Sequence, residues 1–369
     1  MSITRRTLIE RLGAAAAASL IAPATGAASR SSEAIRLHRN ENPYGPSPAV
    51  AAAIRDAASN AAHRFPDIEL QSLRHKIANR HAVAPDQVVV GCGSSEILRV
   101  AVEALAGSGK KVVTASPTFD GIAEHARRAA ANVIGIPLRR DYAHDVRAML
   151  AASDAATGLI YICNPNNPTG TLTSRTDLER LLASIPSSVY VVIDEAYHDY
   201  VGASSEYASF IDRPVRHDRV IVTRSFSKVH GLAGLRVGYA ITSPATAHAL
   251  SSRQLGDSVS TVAALAAAAA LDDTDHVQMS VSRTIDHRQE FVNQAISRML
   301  RPVDSQANFH MVHTGGPAAA VVEQMAKHGI LLGGPFDTAI RVSVGRPDEM
   351  REFWRVWDLM PGRGHSHSL

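Results

Sequence analysis

The sequence predicts an α/β protein: a large domain built on a mostly parallel sheet with helices on both faces, followed by a smaller α+β domain. Three observations carry this expectation. Short apolar runs alternate with helix-length segments from Asp86 to Thr223, the signature of consecutive strand–helix–strand units. The residues just after several of those runs are unusually polar. Beyond residue 250 the pattern changes to a long helix and then two alternating segments.

The strands read as Val88–Val90, Lys111–Thr114, Gly158–Cys163, Val189–Ile193 and Val220–Thr223. Ahead of them, Arg36 to Pro48 is extended and punctuated by prolines, an arm crossing a surface before an Ala-rich helix near Ala49–Ala58. Ser260–Leu271 is a strong helix former of about three turns, too short to span a bilayer. A helix around Asp275–Met299 and alternation in Asn308–Val312 and Ile340–Val344 complete the smaller domain. The expected divisions are an export segment 1–30, an arm 31–58 shared with the small domain, a large domain 59–250, a small domain 251–362 and a tail 363–369. His365 and His367 in the tail lack thiolate or carboxylate company, so no metal site is expected.

The first thirty residues stand apart from the fold. Arg5-Arg6 opens them, Leu12–Ala22 is a short apolar run, and small residues follow. They resemble the twin-arginine signals that carry folded proteins across a bacterial membrane, which implies a periplasmic protein. An attached amphipathic helix is the alternative, and a cytoplasmic protein follows if the signal is not used.

Composition sets the broad class. With 369 residues, 45% hydrophobic and 20% charged, the chain has material for a sizeable core. The net charge of +3 comes from scattered residues, with no basic run interleaved with aromatics, so the expected partners are small molecules and not nucleic acid. Cys92 and Cys163 read as small apolar residues and not as a bridge.

In open parallel sheets ligands sit at the carboxyl ends of strands. After Val90, Gly91-Cys-Gly-Ser-Ser-Glu96 opens a helix and offers N–H groups and hydroxyls to an anion. Asn164-Pro-Asn-Asn-Pro-Thr-Gly170 is a constrained loop that holds amides rigidly. Asp194 emerges from a buried strand end, where a carboxylate must neutralise or meet a cation. Lys228, in a chain with few lysines, sits beside Ser225 and Ser227 with Arg236 eight residues on. Desolvation and a neighbouring cation would depress its pKa and make it a nucleophile.

In order along the chain, these motifs resemble the fold-type I pyridoxal-phosphate aminotransferases of class I/II, most closely the histidinol-phosphate aminotransferase-like branch. The pieces are Asn40–Pro48 (NENPYGPSP), Gly93–Glu96 (GSSE), Ser116–Phe119 (SPTF), Asn164–Gly170 (NPNNPTG), Asp194–Tyr197 (DEAY), Ser225–Tyr239 (SFSKVHGLAGLRVGY), Ala307–Phe309 (ANF) and Arg341–Gly345 (RVSVG). The resemblance implies an aspartate-aminotransferase-like large domain with a seven-stranded sheet, pyridoxal 5'-phosphate as cofactor, and a homodimer with its sites built across the interface. It implies an amino acid or histidinol-phosphate-like amine as donor and a 2-oxo acid as acceptor.

By the same resemblance Lys228 forms the Schiff base and shuttles a proton, and Asp194 pairs with the ring nitrogen. Tyr197 and Asn167 bond the ring's phenolic oxygen, and Phe119 stacks on the ring. Ser94, Ser95, Ser225, Ser227 and Arg236 hold the phosphate. Arg341 receives the substrate carboxylate, Tyr44 closes over the substrate, and Asn308 lies nearby. Two departures stand out: Phe65 where many relatives carry tyrosine, and Gly333-Gly334 where histidinol-phosphate enzymes carry an arginine. A decarboxylase or lyase of the same fold, or a binding protein that kept the fold without the chemistry, remain alternatives on the motifs alone.

Overall fold

The computed structural model describes residues 34–211 and 218–360. The expected export segment and the tail with His365 and His367 lie outside the described residues. The strands are β1 (Ile35–Leu37), β2 (Val88–Gly91), β3 (Lys111–Ser116), β4 (Asn132–Pro137), β5 (Thr157–Cys163), β6 (Tyr190–Asp194), β7 (Val220–Ser225), β8 (Gly238–Ile241), β9 (Arg301–Pro302), β10 (Phe309–His313), β11 (Ile330–Phe336) and β12 (Ala339–Ser343).

Seven strands form the large sheet in the order β2-β8-β7-β6-β5-β3-β4. All neighbours run parallel except β8, which is antiparallel to β2 and β7. Successive strand residues point to opposite faces, and both faces are apolar. Val88, Val90, Val113, Ile160, Ile162, Val191, Ile193 and Val222 belong to one buried cluster. Val89, Val112, Leu159, Tyr161, Val192 and Ile221 belong to the other. The consecutive apolar runs therefore have a physical cause: each strand is covered on both sides.

The helix Ser94–Leu105 covers the second face through Ile97, Leu98, Val100 and Val102, each contributing about 1.5–3 kcal/mol by burial. The first face is covered in part by Asp67–His81 through Leu73 and Ile77, and by Arg175–Ser184 through Leu178, Leu181 and Leu182. The helix Thr261–Asp272 starts where the Ser260 hydroxyl accepts the Ala263 N–H at 3.2 Å, a side-chain cap. The boundary near residue 250 assigned it to the small domain. Its Ala263, Ala264, Ala266, Ala267 and Ala270 instead share the apolar cluster of the large sheet, because small side chains let it lie close against the helix Pro48–Asn60. Among the described residues no helix is long and apolar enough to cross a membrane.

The second sheet has the order β1-β11-β12-β10-β9. Its core joins Leu37, Val312, Ile330, Ile340 and Val342 to Phe291, Phe353, Trp354 and Trp357. The arm is thus partly a strand: β1 pairs parallel with β11, Leu37 opposite Leu332. This pairing delivers the following residues, His38 to Glu41, to the cleft between the sheets. Both cysteines are free, Cys163 buried and Cys92 half-buried.

Candidate active site

A cavity of about 870 Å³ lies at the carboxyl ends of β5, β6 and β7, within the size range of small-molecule sites. Its lining includes Ser94, Ser95, Phe119, Asn167, Asp194, Tyr197, Ser225, Ser227, Lys228, Arg236 and Arg341. The whole expected cofactor set is therefore at one place, although its members span residues 94 to 236. The sheet brings them together because β5, β6 and β7 are adjacent and parallel.

One end of the cavity suits an anion. Gly93 sits at φ 74° immediately before the helix Ser94–Leu105, a backbone region that favours glycine. The first N–H groups of a helix have no intrahelical acceptor, and the dipole adds positive potential there. Ser227 and Arg236 approach the same end, the guanidinium Nη1 lying 3.4 Å from the Ser227 hydroxyl. A Cβ on Gly93 would stand 2.4 Å from Arg236 Nη2. The Ser225 hydroxyl accepts the Ser227 N–H at 3.1 Å and holds the turn into Lys228.

The other end holds a buried acid. Asp194 accepts from Tyr161 Oη at 2.8 Å, Thr223 Oγ1 at 2.9 Å and the Ala196 N–H at 3.2 Å. Burial pushes its pKa up against these hydrogen bonds and the more distant Lys228 charge. None of its bonded partners is a cation, so it lacks the group that would hold it ionised.

Lys228 lies between the two ends. Its Nζ donates to the Arg39 carbonyl at 3.1 Å and stands 5.5 Å from the centre of the Tyr197 ring. Burial, then the charge of Arg341, bring its pKa down to about 8, so the neutral amine is accessible near neutral pH. The Tyr197 hydroxyl accepts from Asn40 Nδ2 at 2.9 Å and Asn167 Nδ2 at 3.3 Å. Burial raises its pKa, which keeps the phenol protonated.

The amides of the 164–170 loop divide their work. Asn164 exchanges hydrogen bonds with the Thr173 backbone, and Asn166 bonds Thr118 and Thr169. These staple the loop, which leaves Asn167 to face the cavity. Arg341, on β12, donates to Asn167 Oδ1 at 2.5 Å and to the His38 carbonyl at 2.6 Å. Its Nε is buried without a partner, and burial lowers its pKa.

Two of the three residues expected to meet the substrate, Tyr44 and Asn308, fall outside the cavity lining. Tyr44 bonds His287 at 3.1 Å, with Arg283 4.9 Å from its ring centre. Asn42 closes the turn here, accepting the Tyr44 N–H on its side chain and the Gly45 N–H on its carbonyl. Asn308 is buried behind the arm and donates to the carbonyls of Asn40 and Glu41, so it holds the arm in place. Phe65 is 78% exposed.

The sequence reading passed over Asn40, Tyr161, Thr223, His38 and Arg39, which complete the first contacts around Tyr197, Asp194, Arg341 and Lys228. Asn40 was legible as the first residue of NENPYG, since its φ of 54° is one that asparagine tolerates. Tyr161 shares a sheet face with Val192 and Asp194 because β5 and β6 pair with Tyr161 opposite Val192, a register that strand alternation does not give. Thr223 and the two arm residues had no local signal.

The donor set fits pyridoxal 5'-phosphate: an anion cradle without a Cβ at Gly93, a buried acid in need of a cation, and a low-pKa amine between them, with Phe119 beside it. Comparison with known proteins agrees. Residues 32–356 match the model of the family described as aminotransferase class I and II. The chain is 36% identical over 321 residues to an aromatic amino acid aminotransferase of Rhodococcus jostii, covering 87% of this chain and 88% of the relative. It is 36% identical over 323 residues to histidinol-phosphate aminotransferase 2 of Carboxydothermus hydrogenoformans, covering 86% and 88%. The crystal structure of histidinol-phosphate aminotransferase from Sinorhizobium meliloti with pyridoxal-5'-phosphate superposes with a TM-score of 0.82 at 29% identity, covering 87% of this chain and 89% of that one. The aspartate-aminotransferase-like fold expected from the motifs is the fold found. The chain belongs to the class I and II aminotransferases and is a pyridoxal 5'-phosphate-dependent transferase of amino groups.

Proposed function

We propose that the protein moves the amino group of an L-amino acid or a related amine to a 2-oxo acid, with Lys228 as the reacting amine and proton carrier. The observation that supports this most is the placement of a low-pKa lysine between an anion cradle and a buried acid. Pyridoxal 5'-phosphate supplies an aldehyde that takes the amine and a ring that accepts the electron pair released at Cα.

In this reading Ser94, Ser95, Ser225, Ser227 and Arg236 bind the phosphate through charge-assisted hydrogen bonds. Asp194 holds a proton on the ring nitrogen, and Tyr161 and Thr223 fix its carboxylate. Tyr197 and Asn167 orient the phenolic oxygen. Phe119 covers the ring and excludes water. Arg341 presents its planar guanidinium to the donor carboxylate, with Asn167 and the His38 carbonyl setting its direction. Lys228 Nζ, freed by the incoming donor, carries the proton from Cα. Borohydride treatment of the holoprotein followed by peptide mapping tests the assignment; a tag on any other residue overturns it.

The same reading includes a homodimer. Phe65 and Ile68 are large apolar side chains at 78% and 77% exposure, and a dimer interface would cover them. Tyr44, outside the lining of its own chain's cavity, would then serve the other subunit's site. Light scattering tests this, and a fully active monomer would end it. Export through the Arg5-Arg6 segment belongs here too. Cell fractionation after Arg5→Lys and Arg6→Lys together should move the protein from periplasm to cytoplasm, and an unchanged distribution removes the claim.

A further inference from the structure

The arm carries a cation that none of the roles above uses. Arg36, His38, Arg39 and Glu41 line the cavity together with Gly333 and Gly334. Arg36 is committed, pairing with Glu41 at 2.6 Å. The guanidinium of Arg39 has no hydrogen bond and no ion pair among the described residues, although its carbonyl accepts from Lys228 Nζ at 3.1 Å.

Its backbone is held from several sides. Arg341 bonds the carbonyl before it, Lys228 bonds its own, and Asn40 after it bonds Ser343 through its N–H at 2.9 Å. The side chain therefore springs from a point fixed relative to both the reacting amine and the carboxylate-binding arginine. The register Leu37 opposite Leu332 sends this stretch alongside Gly333 and Gly334, where β11 offers no side chain. The neighbouring acids do not claim it: Glu41 is paired, Asp194 is buried at the far end, and Asp120, also on the cavity wall, forms no ion pair with it.

We infer that Arg39 is a specificity residue for the amino donor, reading a second anionic group, carboxylate or phosphomonoester, at the end remote from the reacting carbon. The inference rests on the transamination reading and deepens it. Arg341 takes the group nearest Cα, and Arg39 takes the distal one. A guanidinium suits both anions because its planar fork meets two oxygens at once.

The test uses the purified holoprotein and Arg39→Gln, with Arg39→Lys as the charge-conserving control. Glutarate and butyrate are titrated at equilibrium, followed by cofactor absorbance. Arg39→Gln should weaken glutarate by about tenfold relative to butyrate, the scale of one charged hydrogen bond at a partly solvated rim. Arg39→Lys should recover most of that loss. With L-glutamate, O-phospho-L-serine and L-phenylalanine as donors, kcat/KM for an anionic donor should fall about tenfold relative to phenylalanine, mainly through KM. The anionic donor that loses its advantage names the anion read. Glutarate-to-butyrate and donor ratios that stay within twofold of wild type overturn the inference. If wild type transaminates no donor, the proposed reaction falls, while the glutarate–butyrate comparison still decides Arg39.

Discussion

Arg341 and Asn167 meet across the cleft: the guanidinium on β12 of the second sheet donates at 2.5 Å to the amide oxygen of a loop that ends β5 of the first. The same amide's nitrogen bonds Tyr197 Oη at 3.3 Å. In the proposed function, substrate-carboxylate recognition and cofactor-oxygen positioning would thereby be tied through one side chain. Arg341→Gln should raise KM for a carboxylate-bearing donor by about 10–100-fold, the scale of a lost charge-assisted pair. Asn167→Ala should disturb both steps, and double-mutant cycle kinetics should show the two to be non-additive.

Lys228→Ala removes the amine that, in the proposed function, both holds the cofactor and carries the proton. Turnover should fall by at least about 10²–10⁴-fold, the range for a lost general base. Cofactor should remain bound non-covalently through the phosphate cradle and Asp194. Borohydride followed by mass mapping checks this, and turnover at the wild-type rate contradicts the assignment.

The depressed pKa of Lys228, about 8, sets a pH dependence. Covalent capture of added pyridoxal 5'-phosphate by the apoprotein needs the neutral amine. Its rate should therefore rise with pH through a midpoint near 8. Arg341 is the largest charge lowering that pKa after burial, so Arg341→Gln should move the midpoint upward and slow capture at pH 8. Stopped-flow absorbance across pH measures both; a downward shift would refute the electrostatic account.

In the proposed function, Asp194 would link stability to the cofactor. Its folded-state pKa is raised by burial. In the apoprotein its contribution is therefore greatest below the unfolded value and is lost as pH rises through the folded one. Asp194→Asn should stabilise the apoprotein by about 1 kcal/mol at pH 8, since a buried unpaired carboxylate is removed, and by less at pH 4. The same variant should lose turnover and hold cofactor less tightly. Thermal melts of apo and holo forms at both pH values check this.

Gly93→Ala should damage cofactor retention and also cost the fold about 1–3 kcal/mol, because φ 74° and ψ 161° fall in a region essentially reserved for glycine. The added Cβ would reach 2.4 Å from Arg236 Nη2 at a φ of 74°, so the arginine must leave the anion end. A tenfold or larger rise in the dissociation constant of pyridoxal 5'-phosphate is expected, measured by equilibrium dialysis.

How far the site was legible depends on how locally each residue's job is defined. Ser94, Asp194 and Lys228 stand directly at strand ends or helix starts, where the chain's own pattern marks them, and all three line the cavity. Tyr44 was read from its motif alone; within this chain its hydroxyl bonds His287 and its N–H bonds Asn42 Oδ1. Strand β4 is half exposed and β8 is short and begins with glycine, so neither forms the apolar run that betrayed its neighbours. Strand β11 hides behind Gly333, Gly334 and Pro335.

The amino-acid sequence by itself determined the layered α/β architecture, the family and its cofactor, because these follow from periodicity and from motifs only a few residues long. Tertiary structure alone decided that Arg39 lines the cavity with Arg341 and Lys228, that Asp194 accepts from Tyr161 and Thr223, and that Asn308 donates to carbonyls of the arm. Those contacts join residues up to 303 positions apart, as Asn40 and Ser343 are. Nothing in local propensity specifies such a meeting; it is fixed by strand order and by which buried polar groups must find partners.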